Sequence, residues 1–138
     1  MRHKKGSSKK VEWGKASDIK RRVLHLIKTL DLNWIKSSRL YFVRSSNSVS
    51  YAYARIWGLS KVWQMALKAE PSYIIEVISE RFDRLSDIEK DKVLLHELAH
   101  IPKNFSGSLL PHVRRRGKRN FHDRVERLFY YYKKLMTE

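Results

Sequence analysis

The stretch His96-Glu97-Leu98-Ala99-His100 holds the residue types, at the spacing, that metal-assisted hydrolysis needs. Residues four apart on a helix lie one turn above each other, so two imidazoles can converge on one ion. At 100° per residue, His96, Glu97 and His100 share an arc of about 100°. A zinc ion held there lowers the pKa of bound water, and Glu97 stands where a general base would take the proton. Such a site needs at least one more protein ligand and an open position. The chain has no cysteine. That excludes a disulfide framework and any thiolate-bound metal, so the remaining ligand must be His, Asp or Glu.

One compact zincin pattern places a Gly and then a third His soon after the helix. Here Lys103 and Ser106 stand at those positions, which excludes it. His112 follows His100 after a loop in which Gly107 eases a chain reversal and Pro111 stiffens the backbone just before the imidazole. His112 is therefore the expected third ligand. His122 and Glu126, one turn apart on the last predicted helix, are the alternatives, and they would surround the site if His112 binds. His25 lies in an earlier helical pattern and reads as a packing or surface residue.

These side chains need elements to position them. Ser86-Asp87-Ile88-Glu89 has the capping-box form and opens a helix expected to run to about Ile101, where Pro102 ends it. Ile88, Leu94, Leu95, Leu98, Ala99 and Ile101 occupy the arc opposite the site and read as its core side. Ser17 is placed to cap a first helix, with Asp18 in its first turn and Ile19, Val23, Leu26, Ile27 and Leu30 at helical spacing. Between the two helices, Leu40 to Val43, Tyr51 to Trp57, Val62 to Leu67 and Tyr73 to Ile78 are rich in strand formers. Gln64-Met65-Ala66-Leu67-Lys68 would also suit a helix. Tyr73 to Ile78 is the expected edge strand for an extended substrate. The Tyr and Trp residues of this region read as core, with a base-stacking platform as the alternative. A last helix begins near Asn120, with Phe121, Val125, Leu128, Phe129, Tyr132 and Met136 forming its apolar stripe. The expected fold is α+β and zincin-like: a small, mostly antiparallel sheet packed on an N-terminal helix, the H-E-x-x-H helix and a C-terminal helix. Residues 1–16 read as a basic flexible tail and 17–138 as the domain.

Thirty Lys and Arg oppose fourteen Asp and Glu, for a net charge of +16. The excess lies at the ends, with nine basic and two acidic residues in 1–22 and nine and three in 113–138. Lys4, Lys5, Lys9 and Lys10 at one end and Arg114, Arg115, Arg116, Lys118 and Arg119 near the other are the expected contacts to nucleic acid, DNA or RNA. No window is long and apolar enough for a membrane span, and the N-terminus lacks the apolar stretch of a secretory signal, so the expectation is a cytoplasmic protein without a membrane partner.

The segment YIIEVISERFDRLSDIEKDKVLLHELAHIPKNFSGSLLPH resembles a family of small zincin metallopeptidases found in phages and archaea. Its members are similar to SprT-like proteases in having H-E-L-x-H and a downstream Pro-His. SprT-like enzymes often carry a Cys-rich zinc module, which this chain lacks. The resemblance implies an α+β zincin fold, a Zn2+ ion held by His96, His100 and His112, Glu97 as base, and a polypeptide substrate. The competing expectation is a non-catalytic nucleic-acid-binding protein, part of a ribonucleoprotein, whose zincin fold holds a structural metal.

Overall fold

A computed structural model describes residues 10–112 and 121–137. Lys4, Lys5, Lys9, Arg114, Arg115, Arg116, Lys118 and Arg119 lie outside the described residues. The elements run β1 (Glu12–Lys15), α1 (Ser17–Thr29), a 3-10 turn (Ser37–Arg39), β2 (Leu40–Ser46), β3 (Ala54–Gly58), α2 (Lys61–Leu67), β4 (Tyr73–Ile78), α3 (Ser79–Phe82), α4 (Asp87–Leu98) and α5 (Phe121–Met136).

The fold is α+β. Its sheet has the order β1-β2-β4-β3, with β2 and β4 parallel and the other two pairs antiparallel. Alternation along the strands sends Leu40, Ile56, Tyr73, Ile75 and Val77 to one face. There they bury against Ile19, Val23 and Leu26 of α1, Leu94, Leu95 and Leu98 of α4, and Tyr132 of α5. Polar ties cross the same layer. Arg22 of α1 pairs with Asp91 of α4 at 2.9 Å, and the Tyr132 hydroxyl donates to the other oxygen of that carboxylate at 3.0 Å. No helix of the described residues is long and apolar enough to cross a membrane.

Several expectations change. Val62 to Leu67 is helical, as part of α2, not a strand: the Ser60 hydroxyl accepts from the Trp63 N–H, and Lys68 leaves the helix in the left-handed region at φ 54°. The tail expected through residue 16 gives way to β1, because Glu12 to Lys15 pair with Val43 to Ser46 and complete that edge of the sheet. Ser17 is the first residue of α1 rather than its cap, and Ala16 precedes it without a side-chain cap bond. Asp18 stands in the first turn as expected, and there it accepts from Arg44 at 2.9 Å. Tyr73 to Ile78 is interior, flanked by β2 and β3, so the edge strands are β1 and β3, and β3 is the one beside α4. Of Tyr41, Tyr51, Tyr53, Trp57, Trp63 and Tyr73, only Tyr73 is in the core and the other five are exposed. On α4, Ile88 is also exposed, since it precedes the part of the helix that crosses the sheet.

Candidate metal centre

Helix α4 starts on its capping box, in which the Glu89 N–H donates to Ser86 Oγ at 3.2 Å and the Ser86 N–H donates to Glu89 Oε1 at 3.0 Å. It is anchored through Leu94, Leu95 and Leu98, which turns the opposite arc toward a cleft. Its end tightens: the His100 N–H bonds the Glu97 carbonyl and the Ile101 N–H bonds the Leu98 carbonyl, both at 3.1 Å. These are three-residue bonds of the 3-10 type, and Pro102 follows them.

The chain then leaves and comes back, strapped at each step. Gly107, at φ +98°, reverses it, and a Cβ there would strike Gln64 Nε2 and the Leu59 carbonyl. The Gln64 amide donates to the Leu59 carbonyl at 2.7 Å and to the Ser106 carbonyl at 2.9 Å. The Tyr73 hydroxyl accepts from the Gly107 N–H and donates to the Ser108 carbonyl, both at 2.8 Å. The Leu110 N–H donates to the His100 carbonyl at 2.7 Å. His100 Nδ1 lies 2.5 Å from the Leu110 carbonyl. A carbonyl can only accept, so that nitrogen carries the proton and Nε2 keeps its lone pair.

This return brings His112 to His96, with their Nε2 atoms 2.9 Å apart. One ligand nitrogen from each of His96, His100 and His112 lies within 4.8 Å of the others. Two imidazoles sharing an ion at ~2.0–2.1 Å, at a tetrahedral angle, sit about 3.3 Å apart, so the His96–His112 pair needs only a few tenths of an ångström of adjustment to share one. The three rings gather around Phe121, the first residue of α5, which stacks on His100 at a centroid distance of 4.2 Å. Burial, with a smaller push from His100, His112 and His122, lowers the His96 imidazole to about 4. His100 is lowered too, chiefly by burial. Both rings are therefore neutral near pH 7, the form that binds metal.

Glu97 is buried at the same place, and burial pushes its carboxyl up to about 8. Among the described residues no hydrogen bond or ion pair reaches it. Three imidazoles converging beside a buried acid form a nitrogen-rich donor set that could hold a divalent metal ion. His96, Glu97 and His112 open onto a cleft of about 590 Å3, whose other walls include Ala52 to Ala54, His122 and Glu126.

A family model described as putative phage metallopeptidase matches residues 11–137. The chain belongs to that family. No curated protein and no solved structure matched it. Membership in a metallopeptidase family implies a metal ion and a polypeptide substrate, and the histidine triad could bind the ion.

In this member of the family, His122 and Glu126 line the cleft without joining the triad. Glu126 is instead paired with Lys92 at 2.8 Å. His25 lies apart on α1, exposed and edge-on to Tyr132. Lys10 is exposed beside β1. Three features went unread as parts of the site: Phe121 as its packing ring, Tyr73 and Gln64 as the loop strap, and Ala52 to Ala54 as a cleft wall. Phe121 looked like any apolar stripe residue, and only the apolar run through Tyr73 to Ile78 signalled that this strand is interior and the wall must come from another.

Proposed function

We propose that the protein is a zinc-dependent endopeptidase with Glu97 as general base and His96, His100 and His112 as the metal ligands. The observation that carries this reading is the return of His112 to the H-E-x-x-H pair beside the buried Glu97 carboxyl, which no described residue pairs. The chemistry a zinc ion supplies when bound is acidification of a water and polarisation of the scissile carbonyl. A cation held by the three histidines would favour the ionised form of the Glu97 carboxyl, in which it could take a water's proton and pass it to the leaving nitrogen. His122, on the cleft wall, or the neighbouring Tyr53 donates to the developing oxyanion. An extended substrate adds to β3, whose far side has no strand partner among the described residues and leads into the cleft at Ala52 to Ala54. The zincin-like character of the fold rests on this arrangement of an edge strand above the metal helix.

The net charge of +16 supports association with nucleic acid or nucleoprotein. Arg114, Arg115, Arg116, Lys118 and Arg119 fall in the sequence between His112 and Phe121, whose rings are 4.9 Å apart. A polyanion held there brings the peptidase to protein bound on it. The rival reading, a nucleic-acid-binding protein with a structural metal, shares the charge and needs no base at position 97.

The two separate on Glu97→Gln. Incubated with unfolded, fluorescently labelled casein, the wild-type zinc form should cleave and the variant should not, although both carry one zinc by atomic absorption. Equal cleavage by both would remove Glu97 as base, and no cleavage by the wild type would leave the structural-metal reading.

A further inference from the structure

Among the described residues, helices α1, α4 and α5 pack on one face of the sheet and leave the other open. On the open face the strand register places Tyr41 and Trp57 in one row, Lys15, Glu76 and Arg55 in the next, and Trp13 beyond them on β1. The three aromatic rings are 48–60% exposed. Tyr41 and Trp57 lie on strands separated only by β4, so their backbones are about 10 Å apart.

Trp57 is held in place by a buried carboxylate. Glu76 is 0% exposed and accepts from the Trp57 indole N–H at 2.9 Å, from Arg55 at 2.9 and 3.2 Å, and from the Ser45 hydroxyl at 2.6 Å. The Arg55 guanidinium also lies 5.3 Å from the centre of the Trp57 ring. An indole tied at its nitrogen and flanked by a guanidinium presents its face with little rotational freedom left to lose. Glu76 is the only acidic side chain that the strands place on this face among the described residues, and Arg55 neutralises it. Lys15 therefore leaves the face positive, on a chain already at +16.

We propose that this open sheet face binds single-stranded nucleic acid, with bases stacked on Trp57 and Tyr41 and phosphates passing Lys15 toward Lys10. The charge selects the occupant. A second copy at +16 is repelled, whereas a polyanion is attracted. The rings select the form: stacking uses the flat side of a base, which a single strand exposes and a duplex hides. The inference rests on the nucleic-acid part of the reading above and places a second contact surface on the side of the sheet away from the helix that carries the metal ligands.

Fluorescence anisotropy with an oligo-dT of about 15 nucleotides, and with a duplex of equal length, tests it on the full chain. The wild type should bind the single strand more tightly, with quenching of its tryptophan emission. Trp57→Ala and Tyr41→Ala should each weaken single-strand binding about tenfold or more while leaving duplex binding unchanged. Trp57→Phe, which keeps a ring but loses the bond to Glu76, should retain most of the affinity, and urea unfolding checks that each variant is folded. If single strand and duplex bind alike and the alanine variants change neither, the basic ends alone hold the polyanion and the stacking surface is refuted. If the wild type binds neither form at low salt, the nucleic-acid reading falls with it. A concentration-dependent dimer abolished by Trp57→Ala, without single-strand preference, would give the face to a second copy and likewise overturn the proposal.

Discussion

Replacing Tyr73 with Phe removes a single hydroxyl and tests whether the loop bearing His112 is held from beneath. The ring should stay, since it is fully buried and packs edge-on against Phe105 at 4.9 Å. The lost oxygen has two partners. The Gly107 N–H is buried and loses an acceptor at 2.8 Å, whereas the Ser108 carbonyl belongs to an exposed residue and can turn to water. An orphaned buried donor costs about 1–3 kcal/mol, and a carbonyl that water can reach adds little, so the expected loss is about 1–3 kcal/mol. Urea unfolding with a chelator present measures it. Zinc affinity, read by competition with a chromophoric chelator, should fall severalfold as well, because Leu110 and His112 follow directly from the strapped turn. Tyr41→Phe is the control, removing the same group from an exposed ring, and should stay within about 0.5 kcal/mol of wild type. If the two variants match in stability and in zinc affinity, the hydroxyl does not hold the loop and the placement of His112 has another cause.

Other perturbations separate the remaining claims. His112→Ala should lose stoichiometric zinc by atomic absorption, while His122→Ala should keep it and cleave more slowly; zinc retained by the first variant and lost by the second would move the third ligand to α5. Burial acts to raise the Glu76 carboxyl, but hydrogen bonds from Arg55, Ser45 and Trp57 outweigh it and hold the group below its ordinary value. Its stabilising contribution is thus present above the unfolded pKa of about 4.3 and lost as pH falls below it, so Glu76→Gln should unfold less steeply with acid than wild type in urea melts at pH 3 to 6, and parallel profiles would refute this. Deleting residues 1–9 removes Arg2, Lys4, Lys5 and Lys9 and should lower the salt slope of duplex binding by up to about 3 to 4, whereas an unchanged slope would exclude that end from contact.

Much of the metal centre was legible because its signals are local. The H-E-x-x-H spacing, the capping box and Pro102 all act within a few residues of one another, and each appears in the structure where the chain places it. Gly107 and Pro111 likewise marked a reversal. What stayed hidden depends on distant partners. Trp13 and Lys15 look like part of a tail until β2 offers them an edge. Val62 to Leu67 has strand-forming residues, yet Ser60 caps it as a helix, and the exposure of Val62, Trp63, Met65 and Leu67 shows that burial did not decide its conformation. Tyr73-Ile74-Ile75-Glu76-Val77-Ile78 misled differently. A run apolar on both faces belongs to a strand with neighbours on both sides, and the single Glu concealed that until its partners Arg55, Ser45 and Trp57 were seen.

The strand order also shapes how the molecule is made. No two neighbouring strands are joined by a tight turn: β1 reaches β2 through α1, β3 reaches β4 through α2, and the parallel pairing of β2 with β4 spans both β3 and α2. Each pairing must close a long stretch of chain before any ladder bond rewards it, so no hairpin is available to form early and template the rest. The last strand of the sheet is thus the one that knits it together, by sliding between two others. The helix bearing His96 and His100 follows β4 after the short α3, so the candidate ligands should find their partners only after this insertion. Such a fold should form more slowly than a helical bundle of the same size, and a zinc ion meeting the chain early would find its histidines unassembled.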